Sequence, residues 1–132
     1  MTVQFTDTAR HSNLVKQELW PATGFCRKEV VVNEAAAKTY AVGTVLGKVT
    51  ATGKYKIAVE TAVDGSKVAA AIVISDAAIG AAVDTKLVVL VKGPAEVSIG
   101  ALVLDATYDN QAKKDAVYAS LEAAGINVMT TV

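Results

Sequence analysis

The chain has 132 residues, enough for one domain with a real core and too few for two. Thirteen basic residues balance 13 acidic ones, so it lacks the excess of Lys and Arg with which proteins grip nucleic-acid phosphates, and nucleic acid is not an expected partner. Hydrophobic residues make up 52% and aromatic ones only 5%, so the apolar content is chiefly Ala and Val, which favours sheet and close contact over large pockets.

A neutral surface also lacks the repulsion that opposes self-association. Cys26 is the single cysteine, so no intrachain disulfide can form. Asp7, Arg10, His11 and Lys16 interrupt the N-terminal stretch, which leaves no room for a secretory signal. The longest apolar run, residues 68–83, is broken by Ser75 and Asp76 and is too short to span a membrane. A soluble chain made in the cytoplasm, with no membrane partner, is expected.

Residues 1–24 show neither a two-residue nor a helical period. Phe5, Leu14, Leu19 and Trp20 are scattered among small polar residues, and Pro21 pushes Trp20 out of the α region. The segment reads as an extended arm, and its aromatics suit a segment that orders on a partner. Residues 25–132 then form a single domain. Within it, residues 27–33 carry Val30, Val31 and Val32 and read as a strand ending at Asn33. Residues 34–38 have helical propensity but are too few for a stable helix, which leaves a single turn or a loop.

The strongest local signal spans residues 43–57. Val45, Lys48, Val49, Tyr55 and Ile57 are strand-compatible, and Ala51-Thr52-Gly53 interrupts them where a chain reversal is needed. The expected element is a β-hairpin. Gly43 and Gly47 in its first arm point to a bulge or a close backbone approach. Asp64-Gly65 marks a turn. Residues 68–74 form a strand buried on both faces, and 76–84 a surface loop rich in alanine. Residues 86–92 give another strand, closed by Gly93-Pro94. Two short strands follow at 96–99 and 101–104. One helix is expected over 111–124, with Asp109 as N-cap, Val117, Leu121 and Ala124 on one face, and Gly125 at the left-handed position that closes it. A terminal strand runs over 126–132. The fold class is therefore mainly β with one C-terminal helix (α+β).

Chemistry is scarce. His11 is the single histidine and no serine lies in a nucleophile elbow. One His and one Cys cannot make a structural zinc site. The glycine-containing stretches lack the spacing of phosphate loops. Asp76, Asp84, Asp105 and Asp109 sit where Asp is expected to hydrogen-bond its own turn, without calcium-loop spacing. Cys26 beside Arg27 and Lys28 reads as a plain thiol more readily than as a reactive one. No catalytic residue, no cofactor and no metal are expected, and the chain is not expected to be an enzyme.

Several stretches come in a telling order: Gly43-Thr-Val-Leu-Gly47, Thr50-Ala-Thr-Gly-Lys-Tyr55, Asp64-Gly65-Ser66 and Ala70-Ala-Ile-Val-Ile74. Val88-Val89-Leu90-Val91-Lys92-Gly93 and Leu121-Glu-Ala-Ala-Gly-Ile126 complete the series. Together they resemble the lambda-type phage head decoration proteins over about residues 39–132. The resemblance implies a small β-tulip-like domain that binds the major capsid protein as a homotrimer on the exterior of the expanded head. There it would act as cement against the pressure of packaged DNA. It also implies an N-terminal arm that orders on the capsid by adding a strand to it, for which Phe5, Leu14, Leu19 and Trp20 are the candidate contacts. A small β-barrel structural or adhesion module of a phage tail or baseplate would share the same composition.

Overall fold

A computed structural model describes residues 14–18 and 26–129. Its strands are β1 (Val15–Glu18), β2 (Arg27–Val32), β3 (Lys38–Tyr40), β4 (Val45–Lys48), β5 (Tyr55–Ile57), β6 (Ala69–Val73), β7 (Ala77–Ile79), β8 (Thr85–Leu90), β9 (Ala95–Ser98) and β10 (Ile126–Met129). The α-helix α1 (Gln111–Ala123) precedes the last strand. The protein is mostly β with a single C-terminal helix, as expected.

Strands β2-β5-β4-β6-β8 close into a small barrel, β1-β9-β10 form a three-stranded sheet, and β3 pairs with β7 as a two-stranded ribbon. The alternation of side chains along each barrel strand divides the core in two. Val30, Val32, Leu46, Tyr55, Ala71, Val73 and Val89 fill the barrel, and Tyr40 and Ile79 from the ribbon pack on the same cluster. Their neighbours Val45, Ile72 and Leu90 point the other way, onto Val97 of the sheet and Val117 and Leu121 of the helix. β6 is therefore buried on both faces, which is why its sequence is almost continuously apolar.

The hairpin forms as read. β4 pairs antiparallel with β5, Leu46 opposite Ile57 and Lys48 opposite Tyr55. Gly47 sits at a register shift between β4 and β6. A Cβ there would lie 2.0 Å from the Ser66 carbonyl oxygen, so only glycine lets the Asp64-Gly65-Ser66 turn fold against the strand. Gly43, at φ +99, meets the Ala101 carbonyl oxygen in the same way, at 1.9 Å from a Cβ position.

The helix is capped by Asn110 and not by Asp109. The Asn110 side chain accepts from Lys113 N–H at 3.0 Å, while Asp109 accepts from the Lys113 ammonium at 3.1 Å. Either residue type can cap, and the register of the first turn selects the one three residues before the amide it serves. Val117 and Leu121 are buried, each contributing about 1.5–3 kcal/mol by transfer from water, whereas Ala124 is exposed past the helix end. Gly125 N–H donates to Glu122 C=O at 2.9 Å, and φ +88 turns the chain into β10.

Three expectations are corrected. The alanine-rich segment 76–84 contains β7, paired with β3 from Lys38↔Ile79 to Tyr40↔Ala77. Its strand state comes from a partner strand about 40 positions earlier and not from its own propensity. Residues 101–104 are not a strand: a 3-10 turn covers Ile99–Ala101, and Val103 makes one isolated bridge to Thr44. Finally, the reading of 1–24 as an arm outside the domain does not hold at its inner end. Leu14 is 0% exposed within the core, and β1 pairs antiparallel with β9, Val15 opposite Val97 and Glu18 opposite Ala95. Residues 1–13 and 19–25 lie outside the described residues.

Candidate functional site

The described polar side chains serve the fold. Asp105 accepts from the Thr107 amide and hydroxyl at 3.1 and 2.8 Å, and Asp84 from Asn33 at 2.7 Å and Lys54 at 3.0 Å. Asp76 accepts from the Val42 amide at 2.9 Å, which fastens the start of β7 to the segment after β3. The four aspartates proposed for turns thus each hold a separate piece of backbone or a separate cation. Cys26 is fully buried, with its sulfur 3.5 Å from the Pro94 carbonyl oxygen. Among the described residues, no three His, Cys, Asp or Glu side chains are grouped to hold a metal ion, and no helix is long and apolar enough to cross a membrane. His11 lies outside the described residues.

The most deeply buried carboxylate among the described residues is Glu34, only 4% exposed. Its Oε2 accepts from the Tyr40 hydroxyl and, at 2.9 Å, from the Ile57 amide. Burial first, and then the neighbouring carboxylate, push the Tyr40 phenol far above its ordinary pKa. The Glu34 carbonyl also accepts from Ala82 N–H at 2.7 Å. One residue therefore ties the ribbon, β5 and the loop after β7 together.

The described surface offers exposed valines and several grooves. Val63 is 100% exposed, Val68 58%, Val83 55% and Val88 48%. A groove of about 450 Å³ lies between α1 and the loop before β6, floored by Val117, Ala116 and Tyr108. Glu60 stands between Lys67 and Lys113 at 3.9 and 3.8 Å on its rim. Tyr108 donates to the Lys67 carbonyl at 2.8 Å, and burial, then Glu60 and Asp105, raise its pKa. A second groove of about 320 Å³ opens between β2 and the tip of the hairpin.

The candidate partner-binding residues divide. Leu14 is buried in the core between β1 and the barrel, so its side chain packs within the domain and is not presented to a partner. Phe5, Leu19 and Trp20 lie outside the described residues. The exposed valines escaped sequence reading because Val is expected inside. Only the turn signal next to Val63, at Asp64-Gly65, hinted that it projects.

The short motifs scattered along the sequence meet in space. Gly47 packs on Ser66, Lys56 pairs with Asp64 at 2.8 Å, and the Thr50 amide donates to the Asp64 carbonyl at 2.9 Å. They are one structural unit, the hairpin and the turn laid against it. The family model described as Bacteriophage lambda head decoration protein D matches residues 5–126. The chain belongs to the lambda head decoration family. The match takes in most of the segment read as an arm, including Phe5, Leu19 and Trp20, as well as the whole barrel. No curated protein matches the sequence. Membership of the head decoration family makes this a structural phage protein associated with the capsid, and the virion capsid is its location.

Proposed function

We propose that the protein binds the outside of the expanded phage head as a homotrimer, contacts the major capsid protein, and holds the shell together against the pressure of packaged DNA. It would be synthesised in the host cytoplasm and act by binding alone, without catalysis. The observation that carries this reading is the family match across residues 5–126. The physical properties agree with it. Net charge is zero, which leaves no long-range repulsion between copies. The wholly exposed Val63 supplies apolar surface for contact.

The arm is proposed as a capsid-contacting element with Phe5 as its anchor, and Leu19 and Trp20, which follow β1 in the chain, are proposed as further capsid contacts. The proposed boundary between arm and domain is moved from residue 24 toward the N-terminus, so that residues 14–18 belong to the domain and the arm proper is 1–13.

The test uses expanded shells that lack the protein. Added protein is expected to co-sediment with them, to raise the temperature at which they rupture, and to appear as three-fold density in a cryo-EM map. Density on two-fold or five-fold axes, or no binding, would overturn the proposal.

A further inference from the structure

The barrel closes between β2 and β5 through one parallel pair, Val32 with Tyr55. Val91 N–H donates to the Cys26 carbonyl at 2.9 Å, and the β2–β8 ladder continues that register from Arg27↔Leu90 to Val32↔Thr85. In an antiparallel ladder the hydrogen-bonded pairs alternate, so Lys28, Val30 and Val32 spend their backbone groups on β8. The backbone groups of Glu29 and Val31 point the opposite way, toward β5. Asn33 N–H uses that direction, donating to the Tyr55 carbonyl at 2.9 Å. Below that bond the two strands diverge. The N–H and C=O of Glu29 and the N–H of Val31 open onto the 320 Å³ wedge, whose other wall is Lys48, Gly53 and Lys54 at the hairpin tip.

The charges in the wedge are unequal. Lys54 is paired with Asp84 at 3.0 Å. Lys28 and Lys48 are exposed and have no ion pair among the described residues, and the lining's two carboxylates are Glu29 and the Asp84 already held by Lys54, so three ammonium groups face two carboxylates. An unpaired strand edge accepts another extended chain, and the excess of ammonium groups beside it favours carboxylates on that chain.

We infer that the wedge between β2 and the hairpin tip is a docking slot for an extended, acidic segment of the capsid shell, which adds a strand along Glu29 and Val31. This rests on the capsid reading above. Backbone pairing fixes the register, and Lys28 and Lys48 select acidic side chains over neutral ones. The slot is distinct from the N-terminal arm, so the protein would both offer an extended segment and accept one.

Two variants test it by co-sedimentation with shells lacking the protein. Glu29→Pro removes an outward N–H that the β2–β8 ladder does not use, so the barrel keeps its bonds while the edge is blocked. The double variant Lys28→Glu with Lys48→Glu keeps the edge and reverses the charge. Each is expected to bind shells about tenfold more weakly than the parent chain, with unchanged melting temperature for the charge variant. The charge effect should shrink as salt rises, and the proline effect should not. Full binding by the charge variant overturns the slot while leaving the capsid reading intact. If the parent chain itself does not bind shells, both fall. If deleting residues 1–13 abolishes the sensitivity to both variants, the chain's own N-terminal segment occupies the slot and the shell segment does not.

Discussion

The hydroxyl of Tyr40 donates to the carboxylate of Glu34 at the ribbon end of the barrel, with the two residues 1% and 4% exposed. A carboxylate so deeply buried is tolerated only while its hydrogen bonds are made. Tyr40→Phe keeps the ring and removes one donor, so it is expected to cost about 1–3 kcal/mol of stability. Placed on a Glu34→Gln background, the same change should cost less, because the group left short of a donor is then uncharged. Urea denaturation of the four proteins measures the difference. Additive effects would show that the two side chains are not coupled.

Adjacent residues of β8 should respond in opposite ways. Val89 is fully buried in the barrel, and Val88 beside it is 48% exposed. Val89→Asp places an unpaired carboxylate among apolar side chains and should unfold the domain, a loss of more than about 4 kcal/mol. Val88→Asp should lie within about 0.5 kcal/mol of the parent. Circular dichroism melts of the two variants decide it, and similar melting temperatures would mean that the strand's inward face is misassigned.

Two truncations separate the arm from the sheet. Removing residues 1–13 leaves Leu14 and β1 in place, and the melting temperature is expected to change little. Removing residues 1–24 takes away a fully buried leucine and the strand beside β9. Loss of such a leucine alone costs about 2–5 kcal/mol, so the longer deletion should melt on the order of ten degrees lower or fail to fold. Equal stability of the two shortened chains would show that β1 adds nothing to the domain.

Acid should loosen the turn against the hairpin. Hydrogen bonds from Lys56 and then from Ser66 hold the Asp64 carboxyl well below the usual carboxylate range. A pKa depressed in the folded state stabilises the fold above the unfolded value, near about 4, and the contribution is lost as pH falls toward the folded pKa. Asp64→Asn should therefore flatten the decline of melting temperature between about pH 4 and pH 2, without altering it above about pH 6. Thermal melts across that range read the slope. An unchanged slope would assign the acid sensitivity to other carboxylates.

The hairpin, the doubly buried β6, the β8 strand and the helix were legible because each carries its signal locally: a glycine at a reversal, an unbroken apolar run, a capping residue before an apolar face. What was missed lies in pairings between distant segments. Nothing in Ala77-Ala78-Ile79 announces a strand until Lys38-Thr39-Tyr40 is beside it, and Leu14 looks idle until Val97 and the barrel stand against it. Asp109 and Asn110 are equally good caps by type, and only the helix register separates them. The wedge along Glu29 was invisible for the same reason, since an unpaired edge exists only by reference to a neighbour that bends away.

The central strand of the three-stranded sheet has a further consequence. Val97 lies opposite Val15 on one side and Val128 on the other. Residues 15 and 128 are thus two strand spacings apart, about 10 Å, and on the same level of the sheet. The path of the described chain is almost a ring. A short linker from Met129 to Leu14, replacing residues 1–13 and 130–132, would cost little loop entropy, and the ring could be reopened at the wholly exposed Val63 without cutting a strand. Such a circular permutant would carry its new ends in the loop before β6 and would release the sheet from holding both of the old ones.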